Sequence, residues 1–207
     1  MSAIQYLDRF ACYVAGLDYF RIQEGRFTDD EEGDLRVAAR TIAGLPLEVD
    51  EYGSQPVERV RANIERHEPE LVVVDYLQYL NADDLRANRN QQVGQVSRDL
   101  ARLKGDYNIP VVIAAQLNRA SEHRGKDSEP ILSDLRDSGE LEQDADIVMF
   151  IHRPDMNDPD VSPEDETVKI LCRKNRMGQL WHTNVRFVSG QQWLQDNQQV
   201  NVVGRVS

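Results

Sequence analysis

The feature that most constrains this chain is Leu71-Val72-Val73-Val74 followed at once by Asp75. Four consecutive apolar residues, three of them β-branched, stop too soon to make a helix of their own. They read as a strand buried on both faces, as in a parallel sheet covered by helices. An acid at the C-terminal end of such a strand stands where open α/β sheets place their ligands. An aspartate after a strand also simply starts a turn, and the residue by itself leaves both readings open.

The same pattern returns downstream. Val111-Val112-Ile113-Ala114-Ala115 is a second apolar run, and Gln116 follows it as Asp75 follows the first. Between them Val93, Val96, Leu100 and Leu103 recur at helical spacing. Strand, helix, strand is the signature of a parallel sheet with a crossover. Asp146-Ile147-Val148-Met149-Phe150-Ile151 predicts a third buried strand. The polar stretches Asn81–Gln92 and Asn118–Ser138 read as loops.

Upstream, Ile4, Leu7, Ala11 and Val14 form a helical stripe that Gly16 ends. Thr28 and Glu31 have capping-box spacing, Asp29, Asp30 and Glu32 suit a helix N-terminus, and Leu35, Ala38 and Ile42 continue the stripe. Leu47–Asp50 alternates as a short strand. Pro56 suits a first helical turn, with Val57, Val60 and Ile64 on one face and Pro69 as the stop. After an acidic loop from Asn157 to Glu166, Thr167–Leu171 and Thr183–Phe187 predict an antiparallel hairpin whose tip, Arg173–Gly178, is basic. Charge at such a tip also protects a sheet edge. The fold class expected is therefore α/β, a mostly parallel sheet flanked by helices with a C-terminal antiparallel hairpin.

Size and charge limit the options. A chain of 207 residues, 40% hydrophobic, buries one substantial core, so a single domain with no second hydrophobic centre is expected. No apolar run approaches the roughly 18 residues that span a bilayer, and no secretory pattern opens the chain, which points to the cytoplasm. Cys12 and Cys172 share no metal-ligand spacing with the histidines and are expected as buried, reduced thiols. A net charge of -12 excludes coating of duplex DNA by bulk electrostatics, so any nucleic-acid contact is local.

Several segments carry a resemblance to DnaB-type replicative helicases. Leu7-Asp8-Arg9-Phe10, Ala15-Gly16-Leu17-Asp18-Tyr19 and Gly25-Arg26-Phe27-Thr28-Asp29 are similar to the region between that family's phosphate loop and its second strand motif. Val72–Gln78 resembles its Walker B segment, and Ala115-Gln116-Leu117-Asn118-Arg119 its glutamine motif. Leu132-Ser133-Asp134-Leu135-Arg136-Asp137-Ser138-Gly139 with Glu142-Gln143-Asp144-Ala145-Asp146 resembles its DNA loop, and Lys174–Gly178 its basic hairpin. The likeness covers nearly the whole chain in the family's order.

The resemblance implies a RecA-like ATPase that forms a hexameric ring, binds ATP and Mg between neighbours and moves along single-stranded DNA, in a bacterial or virus-infected bacterial cell. It implies that Asp75 holds magnesium through water and that Gln116 senses the γ-phosphate. Lys174 and Arg176 are expected to reach a neighbour's site, and Arg136, Asp137 and Gly139 to meet DNA phosphates. A primase and a helicase loader are the implied further partners.

The departures are equally specific. No Gly-Lys-Ser/Thr phosphate loop occurs in the 207 residues, and on this alignment the glutamate that polarises water lies upstream of Met1. The chain is thus expected to be a partial RecA-like domain spanning 1–207, inactive until a segment bearing the phosphate loop joins it. Loss of the first strand is expected to leave apolar edges beside Val72–Val74 and a marginally folded chain. Asp137 replaces a glutamate, Ala115 a serine, and Met177-Gly178-Gln179 an Asn-Gly-Pro tip. Two other readings stand beside this one: a non-catalytic ring partner of a complete helicase, and a different RecA-like ATPase.

Overall fold

The computed structural model describes residues 2–51, 53–82, 87–117, 128–153 and 167–203, without the side chains of 136–138 and 197–203. The acidic loop expected over 157–166, most of the loop after Gln116, and Arg86 lie outside the described residues. The chain divides into two compact units, Met1–Glu51 with Arg153–Lys169 and Thr183–Val200, and Tyr52–His152 with Ile170–His182 and Asn201–Ser207.

In the first unit, α1 (Ala3–Ala15) starts where the Ser2 hydroxyl accepts from the Gln5 N–H at 3.3 Å and the Gln5 side chain returns to the Ser2 N–H at 3.0 Å. It ends at Gly16, whose φ of 70° is the left-handed value that a Cβ disfavours. A short α2 (Tyr19–Gln23) is capped by Asp18. The expected box forms at α3 (Asp29–Ala43), and Ala38 and Ile42 are buried as the periodicity predicts. The first helix departs from expectation. Ile4, Leu7 and Val14 are exposed, and the buried residue is Cys12. Periodicity locates a stripe but not the side on which neighbours stand. Nor does Leu47–Asp50 form a strand; both apolar residues there are exposed and no neighbouring chain pairs with them in the described structure.

Glu31 carries more than its cap. Hydrogen bonds from Arg21 and then from the Thr28 N–H hold its carboxyl down to about 2. A depressed carboxylate stabilises the fold above its unfolded value near 4.5, and that contribution is lost as pH falls towards 2. Unfolding curves recorded from pH 5 to 2 should therefore show an acid-dependent loss that Glu31→Gln reduces; equal slopes in the two proteins would contradict it.

The second unit opens with β1 (Gln55–Pro56), which pairs in parallel with β3 (Leu80–Asn81). Pro56 is the N-cap of α4 (Val57–His67), one residue earlier than a first helical turn, and Val57 and Ile64 are buried. Then β2 (Val72–Val74) pairs in parallel with β4 (Val111–Ile113), Val74 opposite Ile113. Between them α5 (Arg89–Tyr107) starts at an Asn88–Gln91 capping box and buries Val93, Val96, Leu100 and Leu103. These pack with Val57, Ile64, Val74, Leu77 and Leu80. A 3-10 stretch (Leu132–Ser138) leads into α6 (Gly139–Asp144) and β5 (Ile147–His152).

A second cluster forms around Leu135, Val148, Phe150 and Leu171, so the single hydrophobic centre expected is instead two within this unit. Where α6 meets α5, a Cβ on Gly94 would stand 1.3 Å from a Glu140 carboxylate oxygen, so any larger residue there displaces the Glu140 side chain. The arrangement is pinned by Ser97 donating to Asp144 at 2.6 Å and by Arg98 with Glu140 at 2.5 Å.

The expected burial of the strands on both faces is half right. Val74, Val148 and Phe150 face inward, whereas Val73 is 61%, Val112 50% and Ile151 64% exposed. The covered side of β2 and β4 packs in the cluster built on α5 and that of β5 in the second cluster, and the other side is open. β6 (Thr167–Asn175) and β7 (Leu180–Val188) make the expected hairpin, longer than predicted. With β5 and the unforeseen β8 (Trp193–Val203) they form an antiparallel sheet of order β5-β6-β7-β8. Both cysteines are buried and unpaired in disulfides, as expected. Among the described residues no helix is long and apolar enough to cross a membrane.

Candidate functional site

Strand pairing carries the first pair of expected site residues to one place. The Val72 N–H donates to the Pro110 carbonyl at 3.1 Å, the Ala114 N–H to Val74 at 2.9 Å, and the Leu77 N–H to Ala114 at 2.9 Å. This ladder holds the C-terminal ends of β2 and β4 level. Asp75, Tyr76, Ala114, Ala115 and Gln116 then line a single open cleft of about 400 Å³. Asp75 and Gln116 are both exposed in it, Gln116 three residues past the last paired position. The Asp75–Tyr76 peptide is cis. Tyr76 was not foreseen as part of this place. Its ring lies 4.5 Å from that of Tyr79, whose hydroxyl raises the Tyr76 pKa above the ordinary phenol value.

Exposed carboxylate and amide oxygens are the donors a hydrated magnesium ion takes, so Asp75 with Gln116 suits one. Among the described residues, the cleft's lining has no Gly-rich backbone loop and no lysine with which to hold phosphates.

The second pair stands elsewhere. Lys174 and Arg176 lie at the β6–β7 turn and are not among the residues lining the cleft. Lys174 donates to the carbonyls of Glu142 and Gln143, the latter at 3.2 Å. Arg176 donates to the Gln143 carbonyl, and to the Asp146 carboxylate at 3.1 Å, while its own N–H reaches the Asp146 carbonyl at 2.9 Å. Two cations thus cap the C-terminal end of α6, where unpaired carbonyls favour positive charge. Asp146 also accepts from Lys104; that bond, then the one from Arg176, pulls its carboxyl below the usual value. Sequence reasoning quoted Asp146 within a motif but gave it no task. Its signal was an acid at a strand start, too common to single out.

The expected DNA-loop residues belong to the stretch between these two places. The Asp134 carboxylate accepts from the Ile131 N–H at 2.8 Å, and Leu135 is buried in the second cluster. These anchors set the path of the next residues. Gly139 opens α6 and is exposed, and the side chains of Arg136 and Asp137 lie outside those described.

With this geometry in hand, comparison with known proteins is decisive. The profile of the DnaB-like helicase C terminal domain matches residues 1–196. The chain belongs to that family. It is 32% identical over 193 residues to the replicative DNA helicase DnaB of Geobacillus stearothermophilus, covering 91% of this chain and 42% of that protein. With the DnaB of Mycobacterium leprae it shares 36% over 182 residues, 86% of this chain and 30% of that one. The chain thus spans less than half the length of these curated relatives. Among solved structures it overlays an isolated ATPase domain at a TM-score of 0.88 and 27% identity, covering 96% of this chain and 72% of that domain. A DnaB-like replicative helicase, described with its interactions with primase, matches equally well over 49% of its length. The RecA-like α/β fold class expected from the sequence therefore stands.

Proposed function

We propose that this chain is part of a hexameric, ATP-dependent replicative DNA helicase, supplying the metal-orienting acid, the phosphate sensor, the DNA loop and the arginine finger. The observation that carries the reading is the convergence of Asp75 and Gln116 on one cleft at the ends of adjacent parallel strands. In this role Asp75 orients the water shell of a magnesium ion, which neutralises charge on the β- and γ-phosphates when bound. Gln116, at the mouth of the same cleft, hydrogen-bonds the terminal phosphate and registers its loss. Lys174 and Arg176 sit away from their own chain's cleft, as side chains that serve a neighbouring subunit must. Arg136, Asp137 and Gly139 meet phosphates of single-stranded DNA, a few contacts per subunit repeated around the ring, which an acidic protein can sustain. Primase and a loader are its further partners, and the bacterial cytoplasm, or that of a virus-infected cell, its setting.

The chain by itself is expected to hydrolyse no ATP, because its sequence contains no Gly-Lys-Ser/Thr phosphate loop. Turnover should appear when it is combined with a segment bearing a phosphate loop, and Asp75→Ala should remove that turnover by at least about a hundredfold, as loss of a group stabilising transferred charge does. Continued inactivity of a verified complex would overturn the reading. The place of Arg176, away from the cleft of its own chain, also suits a second reading, a non-catalytic ring subunit that donates Arg176 to a complete helicase. In that case the chain changes the rate of a full-length relative, and Arg176→Ala erases the change.

A further inference from the structure

We propose that Lys104 is a positioning residue for Arg176. By occupying one oxygen of the Asp146 carboxylate, it keeps that acid from closing on both arms of the guanidinium, and so leaves the charge of Arg176 available to a neighbouring subunit. The effect on turnover rests on the role proposed for Arg176 above; the effect on the guanidinium itself does not.

A carboxylate and a guanidinium are both planar and two-pronged, and the pair commonly closes through two parallel N–H···O bonds. An arginine closed in this way has its charge matched and its fork turned towards the acid. Here the fork is open. Arg176 Nη1 donates to Asp146 Oδ1 at 3.1 Å, whereas Nη2 donates to the Gln143 carbonyl. The other carboxylate oxygen, Oδ2, accepts from the Lys104 ammonium. One acid thus stands between two cations, one oxygen for each, and the trio keeps a positive balance. Lys174, on the carbonyls of Glu142 and Gln143, adds to it.

Rigid elements of the second unit fix all three groups. Lys104 is in the last turn of α5, directly after Leu103 and about one turn beyond Leu100, both of them buried. Asp146 is the residue before β5, and Ala145 beside it packs on the second cluster. The Arg176 N–H on the Asp146 carbonyl, at 2.9 Å, pins the hairpin tip to the same residue. The backbones therefore stay together however the side chains pair, and the side chains alone decide how charge is shared. The bond from Lys104 is the larger cause of the lowered Asp146 carboxyl, ahead of the one from Arg176. Arg176 itself is half exposed, and among the described residues two of its five side-chain N–H groups are given to its own chain.

Without Lys104, Oδ2 has no cation of its own and stands beside a guanidinium whose Nη2 is held only by a neutral carbonyl. A charged acceptor makes the stronger bond, so Asp146 takes both arms and Arg176 becomes half of a closed pair. Its charge at the transferred phosphoryl group is then offset by an anion, an effect that grows as a subunit interface excludes water. Such a loss falls on kcat and spares KM, because the charge acts on the transition state. The acid is the agent, so removing it as well undoes the damage.

The test uses the ring assembled with a segment bearing the phosphate loop, and beside it the free full chain. In the ring, Lys104→Met should lower kcat about tenfold with KM for ATP unchanged, and Lys104→Arg should keep most of the rate. The double variant Lys104→Met/Asp146→Asn should regain the rate of Asp146→Asn alone. A loss below about threefold for Lys104→Met overturns the proposal. So does a loss that persists in the double variant, which makes Lys104 a structural residue only. In the free chain, with isotope-labelled arginine, Lys104→Met should slow rotation of the Arg176 guanidinium about Nε–Cζ by about fivefold, as two parallel bonds to one acid require. The double variant should restore it, and unchanged rotation in Lys104→Met overturns the proposal whatever the ring does. Slowed rotation together with full turnover of an Arg176→Ala ring refutes the role of Arg176 at the neighbour's site and leaves the pairing intact. Lys104 is exposed, so thermal unfolding should shift little and serves as the control for folding.

Discussion

Replacing Arg176 with alanine should lower ATP turnover of an assembled ring by about 10³ to 10⁵-fold, the range of a cation acting in trans on the transferred phosphoryl group. The fold should be spared. Arg176 is exposed, and its ion pair with Asp146 is half open to water, a setting where such pairs contribute about 0 to 1 kcal/mol. Lysine at this position keeps the charge but loses the planar fork, so Arg176→Lys should recover only part of the rate. Asp146→Asn releases the anchor while leaving the guanidinium in place, and its effect on turnover should be far smaller. Steady-state hydrolysis at saturating ATP, with thermal unfolding as the control, separates these outcomes. A decrease of less than tenfold for Arg176→Ala would remove Arg176 from the proposed site.

The largest effect on stability is expected at Leu100, 1% exposed on α5 in the cluster with Val74, Leu77 and Leu80. Truncation to alanine removes buried methyl groups and leaves a cavity that the surrounding close-packed strands fill poorly, costing about 2 to 5 kcal/mol. In a chain of this size each kcal/mol lowers Tm by about 2 to 4 °C, so a fall of roughly 10 °C is expected. Val73→Ser, on the open face of the same sheet, should cost less than about 0.5 kcal/mol. Differential scanning calorimetry of the two variants compares them directly. Equal effects would mean that the face carrying Val73 is covered in solution.

The elements legible in the sequence share a short range. The Thr28–Glu31 box, the inward residues of α5 and the stop at Asn108-Ile109-Pro110 are set within one or two turns of chain, whereas the Asn88–Gln91 box that starts α5 lies inside the stretch expected as a loop. Short-range sterics and hydrogen bonding decide them before anything packs. What failed required a neighbour. The stripe Ile4, Leu7 and Val14 was real as a periodicity but lies on the exposed side of α1, and three apolar strands read as buried on both faces are covered on one. β8 went unseen because Gln195, Asp196, Asn197, Gln198 and Gln199 are not strand formers by themselves; pairing with β7 overrides that preference.

The sequence by itself determined the start of α3 and the ends of α1 and α5, that apolar strands terminate at Asp75 and near Gln116, and which family the chain resembles. Only the tertiary structure decided that Asp75 and Gln116 line one cleft, that Lys104, Asp146 and Arg176 meet across 42 and 30 residues of chain, and that one face of the sheet stays open. The reason is physical. Caps and periodicities are settled by groups a turn apart, whereas register, burial and ion pairing between distant segments follow from how all the apolar surface is buried at once.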